Sequence, residues 1–173
     1  DKPIEYNKVS MQPKLDGVRC TIQYDAGVVT AWSRTGKEWK NIEHIKLNLY
    51  RFFDKFPNII LDGELYNHDL RDDFEKIISL VRKQKPTDED RQEARNLVQF
   101  HCYDIIDETL TFEERNYFIQ KHIKPSYCIK HVTTMAVGDD RLAKMIHQQN
   151  LKNGYEGSIL RTNDTYQCKR SHN

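Results

Sequence analysis

Short runs in which apolar and polar residues alternate recur along the chain, separated by segments with helical periodicity. Two of these runs, residues 21–24 and 28–32, flank the tripeptide Asp25-Ala26-Gly27. Because Asp and Gly readily adopt the backbone angles of a tight turn, this stretch predicts a β-hairpin. A hairpin followed by alternating helical and strand-like segments indicates a mixed α and β architecture.

The remaining segments extend this interpretation. Thr111 and Glu114 have the spacing of a capping box, which predicts that a helix begins there. The segment 83–96 carries eight charged residues, so it is interpreted as a solvated loop or an exposed helix rather than a site. The other predicted helices are 42–56, 72–82 and 139–153, and the other predicted strands are 58–66, 97–106, 129–137, 158–161 and 166–170.

Composition excludes several classes of protein. Of 173 residues, 38% are apolar and 10% aromatic, which suffices for one domain with a filled core. No apolar run approaches the ~20 residues of a membrane-spanning helix, and the N-terminus has no signal-peptide pattern, so we expect a cytoplasmic protein without a membrane partner. The 27 basic and 26 acidic residues give a formal charge of +1, which weighs against binding nucleic acid by charge alone but leaves a local basic surface open.

The segment Lys14-Leu-Asp-Gly-Val-Arg19 places a lysine, an acid, a glycine and an arginine within one turn. Alone, it is compatible with a surface turn that holds an ion pair. Glu64 and Glu156 each stand at the end of a predicted strand, and Tyr103 is followed by an acid inside an apolar strand. Singly, these acids are more typical of solvated strand ends. Their order and spacing together indicate a functional site.

Six segments in this order resemble the nucleotidyltransferase domain of ATP-dependent DNA ligases, particularly the small phage and virus type. The superfamily also contains RNA ligases and mRNA capping enzymes. The resemblance implies an α+β, ATP-grasp-like domain with antiparallel sheets flanked by helices and the nucleotide between the sheets. The segments are KLDGVR at 14–19, SRTG at 33–36, LDGELY at 61–66, FHCYDI at 100–105, YEGSILR at 155–161 and KRS at 169–171.

By this resemblance, Lys14 would attack the α-phosphorus of ATP, expel pyrophosphate and carry AMP as a phosphoramidate. A solvated lysine is neutral in only about one molecule in a thousand at neutral pH. A nearby Mg²⁺ (or Mn²⁺) ion and arginines would disfavour the cationic form of the amine, so cationic neighbours are expected around this nucleophile.

The resemblance also assigns the acidic and aromatic residues. Glu64 and Glu156 would hold the divalent metal or ribose oxygens, because hard carboxylate ligands suit Mg²⁺. Tyr103 would stack on adenine. Gln12, two residues before the nucleophile, would read the edge of the base with its amide.

Four arginines complete the expected site. Arg19 would contact the ribose and Arg161 would join the nucleotide pocket. Arg34 would bind a phosphate through its bidentate guanidinium, and this phosphate would be either one of the nucleotide or the 5′-phosphate at a DNA nick. Arg170 is a further candidate for DNA contact.

The expected protein is therefore a monomer whose partners are ATP and nicked duplex DNA, with residues 1–173 forming one nucleotidyltransferase domain. In the family, KRS precedes a short apolar run ending in Lys-x-Lys and then an OB-fold domain; this sequence stops before both. Two alternatives stay open. An RNA ligase or a GTP-dependent capping enzyme shares Lys-x-Asp-Gly, and a catalytically silent nucleic-acid-binding module could retain the fold.

Other candidates are assigned to packing. The histidines have no metal-ligand spacing, although His101 alternates to the same strand face as Tyr103 and could approach a base. A packed histidine is the favoured interpretation. Trp32 and Trp39 are likewise expected to pack rather than to stack on a base.

Overall fold

The computed structural model of the protein describes residues 9–167, which form eight strands and five helices. The strands are β1 (Val9–Lys14), β2 (Val18–Asp25), β3 (Val28–Trp32), β4 (Leu61–Tyr66), β5 (Gln99–Ile105), β6 (Ile129–His131), β7 (Met135–Val137) and β8 (Gly157–Thr162). The helices are α1 (Glu43–Lys55), α2 (Phe74–Val81), α3 (Asp88–Leu97), α4 (Phe112–His122) and α5 (Asp140–Lys152), and a 3₁₀ turn (His68–Leu70) follows β4.

The strands form two sheets. A three-stranded sheet has the order β7-β1-β8, and a five-stranded sheet has the order β3-β2-β4-β5-β6. All pairs are antiparallel except β5 and β6, which run parallel because α4 returns the chain across the sheet between them. The α+β class is confirmed, and the expectation of wholly antiparallel sheets needs this one correction.

The predicted hairpin is present but has a shorter turn. Asp25 pairs with Val28, so the turn consists of Ala26 and Gly27 alone. Both residues have positive φ, 50° and 82°, as a two-residue type I′ turn requires. Ala26 therefore occupies a backbone conformation that the sequence assigned to Asp or Gly.

The segment predicted as one strand at 129–137 is two strands in different sheets. Val132 donates its backbone N–H to the carbonyl of Cys102, which continues the pairing of β6. The chain then crosses to the other sheet, where Met135 of β7 pairs with Met11. The strand predicted at 166–170 is also wrong at Tyr166 and Gln167, which have no strand structure, and its other residues lie outside the described range.

Local capping signals position the helices as expected. Thr111 and Glu114 form a reciprocal capping box at the start of α4, and α3 begins with a second capping box between Thr87 and Asp90. The charged segment 83–96 thus contains an exposed helix. No helix within residues 9–167 has an apolar stretch long enough to cross a bilayer.

The main core lies between the five-stranded sheet and α1. Cys20 and Leu61 on the sheet and Ile45 and Phe53 on α1 are fully buried in one cluster. Since side chains alternate along a strand, the residues between these core positions face the other way. That opposite face of the sheet, which carries Arg19, is the one turned toward the candidate site.

Candidate active site

The candidate nucleophile lies where β1 ends. Lys14 pairs across the three-stranded sheet with Gly157, the first residue of β8. Its Nζ lies 4.0 Å from Oε2 of Glu156, and both side chains are about half exposed, at 54% and 56%. An exposed contact of this length contributes little stability. The amine and the carboxylate are therefore close neighbours without being locked together.

A glycine allows the chain to pass from Lys14 into the second sheet. A Cβ built on Gly17 would lie 2.6 Å from the backbone oxygen of Leu65 and 3.1 Å from Oε2 of Glu64. Only a residue without a side chain fits so close to β4. Gly17 thereby brings the turn after the nucleophile directly against Glu64.

Arg19 is held by a buried carboxylate. Its Nε and Nη2 donate to Asp62 at 3.1 and 2.8 Å, and the hydroxyl of Tyr166 donates to the same carboxylate at 2.9 Å. Burial opposes the charge on Arg19, but the Asp62 carboxylate outweighs it and raises the pKa of the guanidinium above its ordinary value. The arginine that the resemblance assigns to ribose contact is thus fixed in position by Asp62.

The carboxyl group of Glu64 has a strongly raised pKa. Burial raises its pKa to about 7, opposed by the hydroxyl of Tyr103, which donates to Oε1 at 3.4 Å. Asp62 raises this pKa further, whereas Arg19 and Arg34 lower it. A carboxylate that resists ionisation in the free protein would be stabilised as the anion by a bound cation.

Arg34 acts from an exposed loop. Ser33 organises this loop because its Oγ accepts backbone N–H groups of Thr35 and Lys37 at 3.3 and 2.9 Å. Gly36 has φ +86°, which suits a glycine at this turn. The guanidinium is exposed and attracts Glu64 electrostatically, so it lies at the edge of the cleft and is accessible to a phosphate.

Tyr103 sits at an irregularity of the sheet. Asp62 pairs with Asp104 and Gly63 pairs with Cys102, which leaves Tyr103 as an extra residue in β5. Such bulges redirect a side chain and occur often beside active sites. Its ring is covered on one side by the guanidinium of Arg161, whose Cζ lies 5.0 Å from the ring centroid.

Gln12 connects the two sheets. Its Nε2 donates to the backbone oxygen of Tyr103 at 3.2 Å and to Oγ1 of Thr134 at 3.0 Å, and its Oε1 accepts from Nε of Arg161 at 3.0 Å. The residue is only 1% exposed. The amide expected to read a base therefore has protein partners for both N–H groups, and its direct effect in this structure is to orient Tyr103 and Arg161.

The expected metal ligands come from opposite sides of the cleft, Glu64 from β4 and Glu156 from the residue before β8. Within residues 9–167, no group of three or more His, Cys, Asp or Glu side chains is arranged to hold a metal ion. Mg²⁺ commonly takes one or two protein carboxylates and completes its octahedron with water and substrate phosphates. Glu64 and Glu156 therefore fit a Mg²⁺ site in which the protein supplies two ligands and water and substrate phosphates supply the others.

His68 links the end of β4 to the turn that precedes Glu156, and this link was not predicted from the sequence. Its Nε2 lies 2.7 Å from the backbone oxygen of Asn153, its Nδ1 lies 2.5 Å from the hydroxyl of Tyr66, and its ring stacks on Tyr155 at 4.2 Å. Because a carbonyl only accepts, Nε2 carries the proton and Nδ1 of the neutral ring accepts from Tyr66. The spacing of metal ligands does not identify this histidine. Its position two residues after Tyr66, the last residue of the LDGELY segment, is the sequence signal that could have indicated a role near the site.

A second unpredicted group anchors the segment that carries Tyr166. Arg115 and Asp104 form a buried ion pair of 2.7 Å with side chains 5% and 3% exposed. Arg115 also donates to the backbone oxygens of Leu110 and Asp164, at 2.8 and 2.9 Å. These contacts fasten residue 164 to the start of α4, which places Tyr166 against Asp62.

The packing assignments are confirmed. His101 contacts Tyr66 edge-on at 5.2 Å, and burial, followed by the charge of Lys130, lowers its pKa to about 4. Trp39 is buried and donates its indole N–H to the backbone oxygen of Arg19 at 3.2 Å. The indole of Trp32 donates to Thr30, within the same strand.

Most of the predicted site residues are brought together by contacts within each sheet and by the contacts of Gln12 and Arg161 with Tyr103 between the sheets. These residues are Gln12, Lys14, Arg19, Glu64, Tyr103, Glu156 and Arg161. Arg34 stands at the rim of this cleft, and Arg170 lies outside the described residues. Lys14 and Glu156 come from one sheet and Glu64 from the other, and this arrangement matches what the family resemblance implies for a nucleotidyltransferase domain. The sequence matches the ATP dependent DNA ligase domain family over residues 3–173, and the chain belongs to this family.

Individual relatives agree with this membership. The DNA ligase of African swine fever virus, isolate Pig/Kenya/KEN-50/1950, is 29% identical over 158 residues, covering 87% of this chain and 36% of the viral protein. The chain thus spans about a third of the length of the curated relatives it matches. Several isolates of the same virus give the same level of identity, for example 29% for the Warthog/Namibia/Wart80/1980 protein.

Solved structures share the fold. Chlorella virus DNA ligase-adenylate has a TM-score of 0.71 with 18% identity, over 98% of this chain and 58% of that one. The ATP-dependent DNA ligase of bacteriophage T7, in complex with ATP, has a TM-score of 0.65 with 18% identity, over 92% and 60%. At these identities the likeness establishes the architecture of two sheets around a cleft.

Proposed function

We propose that this chain is the adenylation part of an ATP-dependent DNA ligase and that Lys14 is its nucleophile. The observation that carries the proposal is the position of Lys14 at the end of β1, where its Nζ lies 4.0 Å from Glu156 and where the turn that follows brings Gly17 against Glu64. Membership of the ligase family supports the same chemistry.

The first step transfers AMP to the protein. The deprotonated Nζ of Lys14 attacks the α-phosphorus of ATP, a P–N bond forms, and the bond to the bridging oxygen breaks as pyrophosphate leaves with the electron pair. Starting from the ammonium form, Nζ releases two protons to solvent overall. Glu156 lies beyond direct hydrogen-bond distance of Nζ, so its role is to attract and orient the amine rather than to accept its proton directly.

Two further transfers complete ligation. An oxygen of the 5′-phosphate at a nick attacks the α-phosphorus of the bound AMP, and the P–N bond to Lys14 breaks. The 3′-hydroxyl then attacks the phosphorus of that 5′-phosphate, AMP leaves, and the hydroxyl proton is released. Arg34 and Arg170 are the residues we assign to DNA phosphate, Arg34 because it is exposed at the rim of the cleft.

Glu64 and Glu156 are the carboxylates we assign to Mg²⁺ or Mn²⁺. When bound, the ion supplies positive charge that offsets the charge on the phosphates. The raised pKa of Glu64 supports its assignment, because a buried acid with few cationic contacts gains most from a cation beside it. Both residues also stand close enough to Lys14's turn to define the space for the nucleotide.

The nucleoside would be bound by the residues that connect the sheets. Tyr103 would offer an aromatic face to adenine, with Arg161 packed against its ring and Gln12 bonded to its backbone oxygen. Arg19, fixed by Asp62, is positioned for the ribose. We assign ATP, nicked duplex DNA and a monomeric state to the protein, acting in the cytoplasm on breaks that arise in replication, repair or recombination.

Covalent labelling tests the proposal. Purified protein is incubated with Mg²⁺ and ATP labelled at the α-phosphate, denatured, and examined for retained label. We expect labelling of the wild type and of Lys85→Ala, an exposed lysine on the α2–α3 connection, and no labelling of Lys14→Ala. Equal label in Lys14→Ala would exclude Lys14 as the nucleophile. Label from GTP in preference to ATP would assign the chain to capping enzymes, and transfer of AMP only to nicked RNA would assign it to RNA ligases.

A further inference from the structure

A groove of about 640 Å³ runs between the exposed side of α1 and residues 121–126, which comprise the end of α4 and the segment after it. The inward side of α1 packs on the five-stranded sheet through Ile45, Leu49 and Phe53. Because the nucleotide cleft is on the opposite face of that sheet, the groove is separate from the candidate active site. We call it the α1–α4 groove.

The lining of the α1–α4 groove contains basic, apolar and uncharged polar side chains and no acid. Arg51 and Lys55 lie on the α1 side, and Lys121, His122 and Lys124 lie on the other side. The acids nearest in sequence, Asp54 on α1 and Glu113 and Glu114 at the far end of α4, are absent from its lining. Charges of one sign that face each other across a groove reinforce each other's potential.

These cations are not neutralised within the described part of the chain. No salt bridge among residues 9–167 includes Arg51, Lys55, Lys121 or Lys124. The ammonium of Lys55 lies 5.4 Å from the ring centroid of Phe56, and that of Lys121 lies 5.8 Å from the ring centroid of Tyr117. Aromatic contact orients the side chains but leaves their charge available.

His122 lies close to cations from both walls of the groove. Burial lowers the pKa of its imidazole, and the positive charges of Lys121 and Lys55 lower it further. Lys55 comes from α1 and Lys121 from α4, so cations of both walls act on the same ring. The ring itself packs between Phe56 and Phe118, each at 4.7 Å.

We propose that the α1–α4 groove is a second DNA-contacting surface, which binds the phosphodiester backbone of a duplex segment outside the nick. The choice of DNA rests on the proposed function, since a ligase encounters long duplex DNA as its substrate. Every charged group in the lining of the groove is basic, whereas the whole chain has a formal charge of only +1. The contact would be independent of sequence, because lysine and arginine here face phosphates rather than base edges.

A salt series with un-nicked duplex DNA tests this surface. Arg51→Gln/Lys124→Gln removes two charges whose side chains have no described contacts, so folding is not at risk. Lys85→Gln/Lys152→Gln removes the same charge from two exposed lysines outside the groove that, like Arg51 and Lys124, take part in no salt bridge within residues 9–167, and serves as the matched control. Affinity is measured by fluorescence anisotropy as the salt concentration is varied.

Each phosphate contact contributes roughly 0.9 to the magnitude of the negative slope of log K against log salt. The groove variant should therefore reduce the magnitude of this slope by about 2, and the control should leave it unchanged. Lys55→Gln/Lys121→Gln should give a similar loss. Slopes equal to that of the wild type in both groove variants would overturn the proposal. Loss of binding to polyglutamate without loss of binding to DNA would assign the groove to an acidic protein instead.

The two proposals fail separately. Adenylation of Lys14 should be unchanged in all these variants, because none of the substituted residues lies in the nucleotide cleft. A slope change without adenylation would support the proposal for the groove and contradict the proposal that the chain is a ligase. Adenylation without a slope change would support the ligase proposal and contradict the proposal for the groove.

Discussion

Asp62 holds Arg19 through two hydrogen bonds of 3.1 and 2.8 Å from one side of the cleft, while the hydroxyl of Tyr166 donates to the same carboxylate at 2.9 Å. Tyr166 is 104 positions from Asp62 in the sequence. One buried acid thus fixes both an arginine of the candidate nucleotide pocket and the segment that follows β8. Three predictions about the cleft depend on such long-range contacts, and a fourth depends on close packing.

The first concerns Asp62→Asn. The substitution leaves Arg19 without its counter-charge and should reduce stability by about 1–3 kcal/mol, less than for a fully buried pair because a third of Arg19 is exposed. We also expect weaker ATP binding, since Arg19 loses its fixed orientation. Urea denaturation and the ATP dependence of adenylation measure the two effects. Asp25→Asn at the exposed end of β2 is the control, and wild-type behaviour of Asp62→Asn would show that Arg19 needs no such support.

The second concerns the pH dependence contributed by Glu64. Burial raises its pKa from 4.5 to about 7, so the native state keeps a proton that the unfolded chain releases at lower pH. The associated stability is fully present below pH 4.5 and is lost as the pH rises to about 7, a change on the order of 3 kcal/mol. Glu64→Gln should remove this dependence, so the wild type should lose more stability than the variant between pH 5 and pH 8.

Urea titrations of both proteins across this range provide the measurement. Groups other than Glu64 are common to the two proteins and cancel in the comparison. Parallel stability profiles would mean that Glu64 titrates as an ordinary carboxyl group.

The third concerns His68, which holds the turn before Glu156. His68→Ala removes the bonds to Tyr66 and Asn153 and should lower the adenylation rate at saturating ATP about tenfold, because Glu156 is then less well placed beside Lys14. His131→Ala is a matched control, since its ring bonds a backbone oxygen at the same 2.7 Å distance but far from the cleft. Equal rates in the two variants would argue against a positioning role for His68.

The fourth concerns Gly17→Ala. A methyl group there would lie 2.6 Å from the backbone oxygen of Leu65, so the turn after Lys14 must shift, at a cost of about 1–3 kcal/mol. Adenylation should fall as well, because the turn carries the nucleophile. Gly138→Ala places a methyl group where no heavy atom lies within 4 Å and should be nearly neutral. Thermal melts of the two variants decide the matter, and similar melting temperatures would contradict the close approach.

The sequence predicted the features that depend on neighbouring residues. The capping box at Thr111 and Glu114, the hairpin before residue 32 and the amphipathic α1 are all encoded within a few positions. The family resemblance likewise rests on short segments. These signals suffice for the α+β class and for the ligase family.

What the sequence did not predict depends on contacts between distant segments. The chain leaves one sheet after His131 and enters the other at Met135, and no local periodicity marks that change. The pairing of Asp62 with Tyr166 and of His68 with Asn153 also arises only when the two sheets come together. The α1–α4 groove combines two basic clusters that lie about seventy positions apart.

Gln12 shows what the tertiary contacts add to a prediction. The family resemblance assigns its amide to the edge of the base, which stays a prediction, and in the folded chain the same amide contacts Tyr103, Thr134 and Arg161. A residue next to a motif can therefore support the site by orienting other side chains. Deciding between such roles requires the tertiary contacts.

The most direct test of the central claim is mass spectrometry of the protein after incubation with ATP and Mg²⁺. We predict an intact mass increased by one AMP moiety, and tandem spectra of the proteolytic peptides that place the adduct on Lys14. Pyrophosphate should remove the adduct, since the first transfer is reversible. An adduct on another residue, or an unmodified Lys14 in a protein that still carries AMP, would contradict the account.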